Sequence, residues 1–332
     1  MRRILVTGGA GFIGSQFIKY WLSRHPNDLV INLDKFTYAA NLESIRNLDR
    51  YYPGSYRLVI GDICDPTVVR REMEGVHTVV DFAAETHVDR SLDDPAVFLR
   101  TNIDGTRVLL EAALEAKVQR FHYISTDEVF GALSLGAEKF TEDSKLNPRS
   151  PYAVSKAAAE LLVRAYYFSF GLPITVSNTS NNFGPYQHPE KFIPRAITNV
   201  IWGDPIPIYG DGKQVRDWIH VYDHCAALEL VLLKGEVGET YLIGADAERQ
   251  NIEVARKILE LMGKSESMIK SVPDRPGHDI RYALDSTRIR TKFAWKPRHP
   301  FEEWLQVTVQ WYQENESWWA PLKEEAERFY SR

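Results

Sequence analysis

The sequence predicts an α/β fold, in which a doubly wound parallel sheet is joined by a smaller C-terminal α/β lobe. Short β-branched runs alternate with amphipathic stretches through the first half of the chain, which is typical of βαβ units. After about residue 183, glycine, proline and aromatic residues punctuate shorter elements. No Ser- or Gly-rich linker separates the two parts, and 332 residues suffice for two lobes that share an interface. We expect one domain over residues 1–180 and a second lobe over 181–332, some elements of which can return to the first domain.

The predicted elements follow this pattern in chain order. Strands are predicted by β-branched runs over residues 4–7, 29–33, 56–60, 78–82, 121–125 and 174–177. Helices are predicted by apolar residues at helical spacing over residues 12–24, 66–73, 98–116, 152–168, 251–262 and 301–314. The helices at 98–116 and 152–168 carry apolar residues around much of their circumference, so each has more than one face to bury.

Composition excludes several classes of partner. The net charge is −5 and no long Lys/Arg run is present, which argues against a nucleic-acid partner. No stretch approaches the roughly 18 apolar residues of a membrane span, and the short apolar run after Arg2 and Arg3 leads into glycines, as a strand does. Cys64 and Cys225 show no metal-ligand spacing. We therefore predict no metal site, and reduced thiols in the cytoplasm.

A glycine-rich turn, TGGAGFIG, occupies residues 7–14 between the first predicted strand and helix. Gly9, Gly11 and Gly14 match G-x-G-x-x-G, and Gly8 adds a fourth glycine. Such glycines allow a tight turn and let backbone N–H groups approach a pyrophosphate at a helix N-terminus. The motif alone is weak, because many glycine-rich turns bind nothing. Its place after the first strand favours a Rossmann-type dinucleotide site.

Asp34 indicates which dinucleotide binds. It follows Gly14 by 20 residues, at the end of the second predicted strand, where an acid bonds the ribose hydroxyls. Its charge would repel a 2′-phosphate, so NAD is preferred over NADP. Lys35 weakens this argument, because a cation there could meet a phosphate. The alternative interpretation of Asp34 is a helix or turn cap.

Tyr152 and Lys156 are the first candidates for catalysis. Their i,i+4 spacing in SPYAVSK places both on one face of a helix. A neighbouring ammonium favours the ionised phenol, so Lys156 is expected to lower the pKa of Tyr152 toward that of a working base. Thr126 ends a preceding strand and can hold the reacting oxygen. Alone, the pair would more often be an ordinary surface pair; with Thr126 and the glycine turn, it indicates a short-chain dehydrogenase.

Seven segments carry a more specific resemblance, which runs from the first strand to about residue 285. They are TGGAGFIG (7–14), AAETHVDRS (83–91), STDEVFG (125–131), SPYAVSKAAAE (150–160), SNNFGPYQHPEKFIP (180–194), PIYGDGKQVRDWIHV (207–221) and DRPGHDIRYALD (274–285). With them the chain resembles the extended short-chain dehydrogenase/reductase family, in particular its nucleotide-sugar 4,6-dehydratases. Thr86, Phe130 and Phe183 depart from the family's usual residues. The tail after about residue 315 resembles the family poorly, which leaves open whether Tyr330 closes the site.

The resemblance implies a reaction in three stages that explains two adjacent carboxylates. Tyr152 takes the proton of the sugar 4-OH while the C4 hydride passes to NAD, and Thr126 bonds the new ketone. Glu128 then removes the C5 proton, and Asp127 protonates the C6 hydroxyl, which leaves as water. The hydride finally returns to C6. One carboxylate must be charged and the other protonated, so their pKa values should be pushed apart.

The resemblance also implies the binding residues, with the first domain holding NAD and the second lobe mainly the nucleotide sugar, expected to be dTDP-glucose. The expected NAD contacts are Gly8, Gly11, Phe12, Ile13, Gly14, Asp34, Lys35, Thr37, Asp62, Ile63, Ala83, Ala84, Glu85, Thr101, Tyr152, Lys156 and Asn182. The expected substrate contacts are Thr86, Thr126, Asn181, Lys191, Phe192, Pro207, Ile208, Tyr209, Arg216, Asn251, Arg275 and His278. Arg216 and Arg275 suit the diphosphate, because guanidinium engages phosphate oxygens bidentately. A homodimer that pairs the helices at 98–116 and 152–168 is also implied.

Three alternatives stay open at this stage. A UDP-sugar 4-epimerase or decarboxylase would share the glycine turn, Tyr152 and Lys156, but has no need of Asp127 and Glu128. A UDP-glucose 4,6-dehydratase would differ only in base preference. A catalytically silent NAD-binding regulator would be favoured by loss of the catalytic residues, and all of them are present.

Overall fold

Seven parallel strands form the main sheet of the protein, for which a computed structural model describes residues 1–274 and 277–330. The strands are β1 Arg3–Thr7, β2 Leu29–Asp34, β3 Tyr56–Ile60, β4 Thr78–Asp81, β5 Arg120–Thr126, β6 Ile174–Thr179 and β10 Thr240–Ile243. Their order across the sheet is β10-β6-β5-β4-β1-β2-β3. The six predicted strands are confirmed within two residues at each end. The seventh, β10, comes from the second half of the chain and pairs with β6.

Helices cover both faces of this sheet. Those of the first half are α1 Phe12–Arg24, α2 Leu48–Tyr51, α3 Pro66–Met73, α4 Val88–Asp93, α5 Pro95–Phe98, α6 Thr106–Glu115 and α7 Pro151–Phe170. Those of the second half are α8 Phe192–Trp202, α9 Val221–Lys234, α10 Asn251–Leu261, α11 Thr287–Phe293, α12 Phe301–Glu314 and α13 Glu316–Tyr330. One apolar core joins α1 and α9 to the sheet, and a second joins α3, α6 and α7 to its other face.

The predicted helix at 98–116 is interrupted. Leu99–Gly105 is π-helical, and regular α-helix resumes only with α6. The extra residue lets the Asn102 amide form three bonds: it accepts from the backbone N–H of Glu85 over 2.8 Å and donates to the Glu85 carbonyl and to the Ser155 hydroxyl. π-Helical turns are frequent at functional sites, and this one fixes the loop after β4, where several predicted NAD contacts lie.

The second lobe is built from two small sheets and four helices. Its strands are β7 Asn181–Phe183, β8 Ile206–Tyr209, β9 Val215–His220, β11 Glu248–Gln250 and β12 Ile269–Val272. Helices α8, α10, α12 and α13 enclose its core, which includes Trp218, Phe301 and Trp319. Helix α13 falls in the tail that resembles the family poorly, yet Trp319 is fully buried there. Phe130 and Phe183 are both buried in apolar clusters.

The sheet topology places the predicted site residues together. In parallel sheets, ligands bind at the carboxyl ends of the strands. Thr7, Asp34, Thr126 and Thr179 end four of the parallel strands at one edge. The second lobe starts directly after Thr179 and lies over this edge. No helix within residues 1–274 and 277–330 is long and apolar enough to cross a membrane.

Candidate active site

The glycine-rich turn forms one wall of a deep cleft at this edge. Gly8 has a φ of 66°, and a Cβ atom there would lie 2.7 Å from the backbone nitrogen of Ala83. A Cβ atom on Gly14 would lie 2.4 Å from the Gly8 carbonyl oxygen. Side chains at either position would push helix α1 away from the sheet. The turn therefore brings the N-terminus of α1 into the cleft, which suits a pyrophosphate.

Asp34 and Lys35 lie at the adenosine end of this cleft. The Asp34 carboxylate accepts hydrogen bonds from the backbone N–H groups of Ala10 and Phe36, both over 2.8 Å. It is buried and also lines the cleft. Lys35 forms an ion pair with Asp62 over 2.8 Å. The charge of Lys35 is thus already paired with that of Asp62. Lys35 is therefore not needed to bind a 2′-phosphate, and the site favours NAD over NADP.

Every predicted NAD contact lines this first cleft. Thr101, which lies outside the seven segments quoted above, is among them. His188 and Glu190 also line the cleft but lie outside the predicted set. Both belong to the segment 180–194 that carries the family resemblance, so that segment was the available signal. The described residues thus fit a dinucleotide: the cleft has a suitable shape, the glycines lie where a pyrophosphate would bind, and an acid lies where it would bond the ribose.

A second cleft opens between the first domain and the second lobe. Ten predicted substrate contacts line it: Thr86, Asn181, Lys191, Phe192, Pro207, Ile208, Tyr209, Arg216, Asn251 and His278. Thr126 lines the first cleft instead, and Arg275 lies outside the described residues. The two clefts share five residues, namely Thr86, Glu128, Asn181, Glu190 and Lys191. Ligands bound in the two clefts would therefore come together beside Glu128.

Cations and aromatic rings line the second cleft. Arg216 donates to the carbonyls of Val215 and Asp279 over 2.8 and 3.0 Å, and its guanidinium lies 4.3 Å from the centroid of the Tyr282 ring. Lys191 donates to the Thr86 carbonyl over 2.8 Å. These two cations suit a diphosphate.

Asp127 and Glu128 stand where the two clefts meet, in a short turn directly after β5. Asp127 is 1% exposed, whereas Glu128 is half-buried. Burial, and next the neighbouring Glu128, raise the pKa of Asp127 well above its ordinary value, against the opposing effects of Arg216 and Thr126. These surroundings favour the protonated form of Asp127, which lies beside the more exposed Glu128. This is the division that an acid and a base need.

Tyr152 and Lys156 project from one face of α7, as predicted, and both are buried. The expected effect of Lys156 on Tyr152 is wrong for this structure. Lys156 donates to the Ile124 carbonyl over 2.7 Å and lies over the Tyr123 ring, while burial lowers its pKa to about 8. Burial, Glu128 and Asp127 raise the pKa of Tyr152, and only the Thr126 hydroxyl lowers it. The pKa shift of Tyr152 is opposite to the expected one because burial, and next the charges of Glu128 and Asp127, disfavour the ionised phenol.

Tyr330, whose role the sequence leaves open, reaches the second cleft from the end of α13. Its hydroxyl lies 3.0 Å from Nε2 of His87, and the guanidinium of Arg195 lies 3.6 Å from the centroid of its ring. His87, Arg195 and Tyr282 also line this cleft but lie outside the predicted set. Helix α13 therefore forms part of the cleft wall.

Comparisons with known proteins agree with this geometry. The family model described as "GDP-mannose 4,6 dehydratase" matches residues 5–308. A dTDP-glucose 4,6-dehydratase of Mycobacterium tuberculosis is 49% identical over 330 residues, 99% of this chain and 98% of that protein. One from Streptomyces niveus is 48% identical over 325 residues, covering 97% and 96% of the two chains.

Solved structures give the same result. DesIV, a dTDP-glucose 4,6-dehydratase from Streptomyces venezuelae crystallised with NAD and TYD, superposes with a TM-score of 0.94 at 45% identity, over 96% of this chain and 99% of that one. The UDP-glucose 4-epimerase of Thermus thermophilus, in complex with NAD, has a TM-score of 0.85 at 29% identity, over 94% and 99%. The chain belongs to the extended short-chain dehydrogenase/reductase family, among its NAD-dependent nucleotide-sugar dehydratases.

Proposed function

We propose that the protein catalyses the 4,6-dehydration of dTDP-glucose, giving dTDP-4-keto-6-deoxyglucose and water. One observation carries the proposal: a buried Asp127, whose surroundings raise its pKa, stands beside Glu128, at the point where a cofactor cleft meets a cleft lined by cations. Dehydration needs both an acid and a base at the same carbon–carbon bond. The names of the relatives, and the NAD and TYD in the DesIV structure, support the same reaction.

The first stage concerns Tyr152 and Thr126, which line the cofactor cleft side by side with Lys156. NAD bound in this cleft supplies the oxidant for C4, the reductant for C6 and a positive charge near the reacting atoms. Tyr152 accepts the proton of the 4-OH as the alcohol is oxidised. The Thr126 hydroxyl donates to the new carbonyl oxygen. Lys156 holds the ribose and does not need to contact Tyr152.

The elimination is assigned to the two carboxyl groups. A 4-ketone acidifies the C5–H, which Glu128 removes as base. Asp127 gives its proton to the C6 hydroxyl, which departs as water. The raised pKa of Asp127 favours the protonated form that this step needs. Residues of the second cleft hold the nucleotide and its diphosphate, with Lys191 and Arg216 as the cationic contacts.

The same scaffold also supports 4-epimerases, as the likeness to the Thermus thermophilus protein illustrates. Epimerisation at C4 needs no proton donor at C6, so it gives no reason for a buried acid at Asp127. A UDP-glucose 4,6-dehydratase would use the same residues. Thymine and uracil differ by one methyl group, a discrimination worth only ~1–3 kcal/mol. dTDP-glucose is proposed because it is the substrate that the relatives' names give.

The decisive experiment is incubation of the purified protein with dTDP-glucose. We expect a product lighter by one water, detected by mass spectrometry, with the near-ultraviolet absorbance of a 4-keto-6-deoxysugar in base. UDP-glucose run in parallel measures base preference. Recovery of dTDP-galactose instead would assign an epimerase, and an unchanged sugar would contradict the proposal. Asp127→Asn is the matched control variant, since it retains the shape of the side chain and cannot protonate the leaving hydroxyl.

We also propose that the protein is a homodimer. Helices α4 to α7 lie against one another. These helices and the π-helical segment between α5 and α6 expose seven large apolar side chains to solvent: Leu92, Val97, Leu99, Val154, Leu161, Phe168 and Phe170. Exposed apolar side chains on adjoining helices are typical of a protein–protein interface. A second copy that presents the same helices would bury them in a symmetric contact. We expect the dimer to act in the cytoplasm, in the synthesis of deoxysugar precursors.

A further inference from the structure

Arg90, on helix α4, contacts three segments that are far apart in sequence. Its Nε donates to Oε2 of Glu190 over 2.9 Å. Its guanidinium carbon lies 3.9 Å from the centroid of the Tyr38 ring and 4.7 Å from that of Phe329. The planar guanidinium can stack face to face on rings while its edge bonds a carboxylate, a geometry that the compact ammonium of lysine lacks. The reaction proposed above assigns no role to this residue.

Tyr38 belongs to the turn that follows Asp34. The adjacent residues Thr37 and Ala39 line the cofactor cleft. The same turn is tied to the glycine-rich turn, because the backbone N–H of Asn41 donates to the Ala10 carbonyl over 3.1 Å. The contact between Arg90 and Tyr38 therefore holds the adenosine side of the cofactor site.

Glu190 lines both clefts and is 4% exposed. Burial raises the pKa of Glu190, but His87, His188, Lys191 and Arg90 outweigh burial and lower that pKa to about 2. Arg90 forms its ion pair with this buried carboxylate, whose charge needs paired partners in the interior. The next residue, Lys191, is the cation of the substrate cleft that donates to Thr86. The ion pair thus fixes the segment that supplies Lys191.

Phe329 brings the third segment, the end of helix α13, against Arg90. The following residue is Tyr330, whose hydroxyl lies 3.0 Å from His87 in the substrate cleft. His87 and Arg90 lie at the start of the same helix, where the backbone N–H of Arg90 donates to Nδ1 of His87 over 3.4 Å. One side chain therefore contacts the cofactor turn, the diphosphate segment and the wall of the substrate cleft.

We infer that Arg90 is a positioning residue that couples retention of NAD to occupation of the nucleotide-sugar cleft. The inference rests on the proposed function, because it takes the second cleft to hold the nucleotide diphosphate. When that cleft is filled, Glu190 and Phe329 are fixed, and through Arg90 they fix the Tyr38 turn over the cofactor. Coupling of this kind keeps the cofactor in place during the stages when the sugar is oxidised and not yet reduced.

The test measures the rate at which NAD leaves the purified holoenzyme, with and without saturating dTDP. We expect dTDP to slow release by at least about fivefold in the wild type, within the usual range of coupling between two sites. In Arg90→Lys, which retains the charge and loses the stacking, dTDP should still bind and the two rates should become nearly equal. Arg70→Lys is the control, because Arg70 pairs with Glu115 on an exposed surface away from both clefts.

A second pair of variants tests the same contact if Arg90→Lys does not retain NAD. Tyr38→Phe retains the ring and should behave as the wild type, whereas Tyr38→Leu should lose the effect of dTDP on NAD release. Full coupling in Arg90→Lys or in Tyr38→Leu would overturn the inference, as would a wild-type enzyme that binds dTDP without slowing NAD release. A wild-type enzyme that does not bind dTDP, as measured by calorimetry, would instead overturn the proposed function, and the inference with it.

Discussion

The Thr126 hydroxyl donates a hydrogen bond to Oδ1 of Asp127 over 3.1 Å. The other carboxyl oxygen, Oδ2, is buried and has no partner among the described residues. An unsatisfied buried oxygen is costly and is commonly explained by function. Here it is the oxygen that would carry the proton of an acid. Because the Thr126 hydroxyl has one proton, its hydrogen bond must pass from Asp127 to the substrate ketone when that ketone forms.

We expect Asp127→Asn and Glu128→Gln each to slow elimination by roughly 10²- to 10⁴-fold, the usual cost of removing a general acid or base. Oxidation at C4 should continue, since it depends on Tyr152. The absorbance of enzyme-bound NADH should therefore build up after mixing with substrate and decay slowly, as followed by stopped-flow. Loss of NADH formation in a folded variant would show that the roles are assigned wrongly.

Tyr152→Phe should lose turnover by about 10²- to 10⁴-fold, because the group that accepts the 4-OH proton is missing. Bound NAD should be unaffected, since the glycine turn and Asp34 contact the cofactor cleft independently of the phenol. The measurements are the steady-state rate and the NAD content of the purified variant. Tyr123→Phe is the comparison, because Tyr123 is a buried neighbour of Lys156 with no assigned part in catalysis. Near-normal turnover in Tyr152→Phe would move the base to another residue.

The sequence predicts the site well where chemistry depends on spacing along one element. Tyr152 and Lys156 share a helix, and the glycine turn follows a strand, so their placement follows from local periodicity. The pKa of Tyr152 does not follow from local periodicity, because it depends on burial and on Glu128, which belongs to another element. The return of β10 to the main sheet and the insertion of Trp319 into the second core are contacts between distant segments. Tyr330 reaches the substrate cleft only because α13 is packed in this way.

The raised pKa of Tyr152 leads to a further prediction about Glu128. After burial, Glu128 is the largest cause of this shift. Removing its charge in Glu128→Gln should lower the pKa of Tyr152, so the base form becomes available at lower pH. The pH profile of NADH formation in single turnover should therefore move to lower pH in the variant. Glu111→Gln, an exposed acid on α6 that pairs with Arg107, should leave the profile in place. An unmoved profile in Glu128→Gln would mean that the two side chains are not electrostatically linked.

The exposed apolar side chains on α4 to α7 make the association state of the protein testable. We expect light scattering to give about twice the 38.1 kDa mass of one chain. Leu161 and Phe168, on α7, are 56% and 81% exposed. Leu161→Glu and Phe168→Glu together should yield monomers, since two desolvated charges on each side would oppose the contact. Val307→Glu, on the exposed face of α12, should leave the dimer intact. A wild-type monomer at micromolar concentration would refute this assembly.

His122 provides a test of stability against pH. It is fully buried between the hydroxyls of Thr175 and Ser177, with ring nitrogens 2.8 and 3.0 Å from them. Burial lowers its pKa to about 3, whereas an unfolded chain titrates near 6.5. The unfolded state therefore binds more protons than the native state between these values. The contribution of His122 to stability is fully present above pH 6.5 and is lost as the pH falls toward 3.

His122→Gln should be less stable than the wild type at pH 7.5, because the core is disturbed. The glutamine of this variant does not titrate, whereas His122 takes up a proton when the wild type unfolds below pH 6.5. The difference in unfolding free energy between wild type and variant should therefore shrink by about 1.4 kcal/mol per pH unit below 6.5. Urea unfolding at pH 7.5 and at pH 5.0 measures both differences. Val163→Ala, another fully buried substitution, removes no titrating group and should give the same difference at both pH values. Comparing variants cancels the buried carboxyl groups, such as Asp81 and Asp217, whose raised pKa values act in the opposite direction. A constant difference for His122→Gln would mean that this imidazole is protonated in the folded protein.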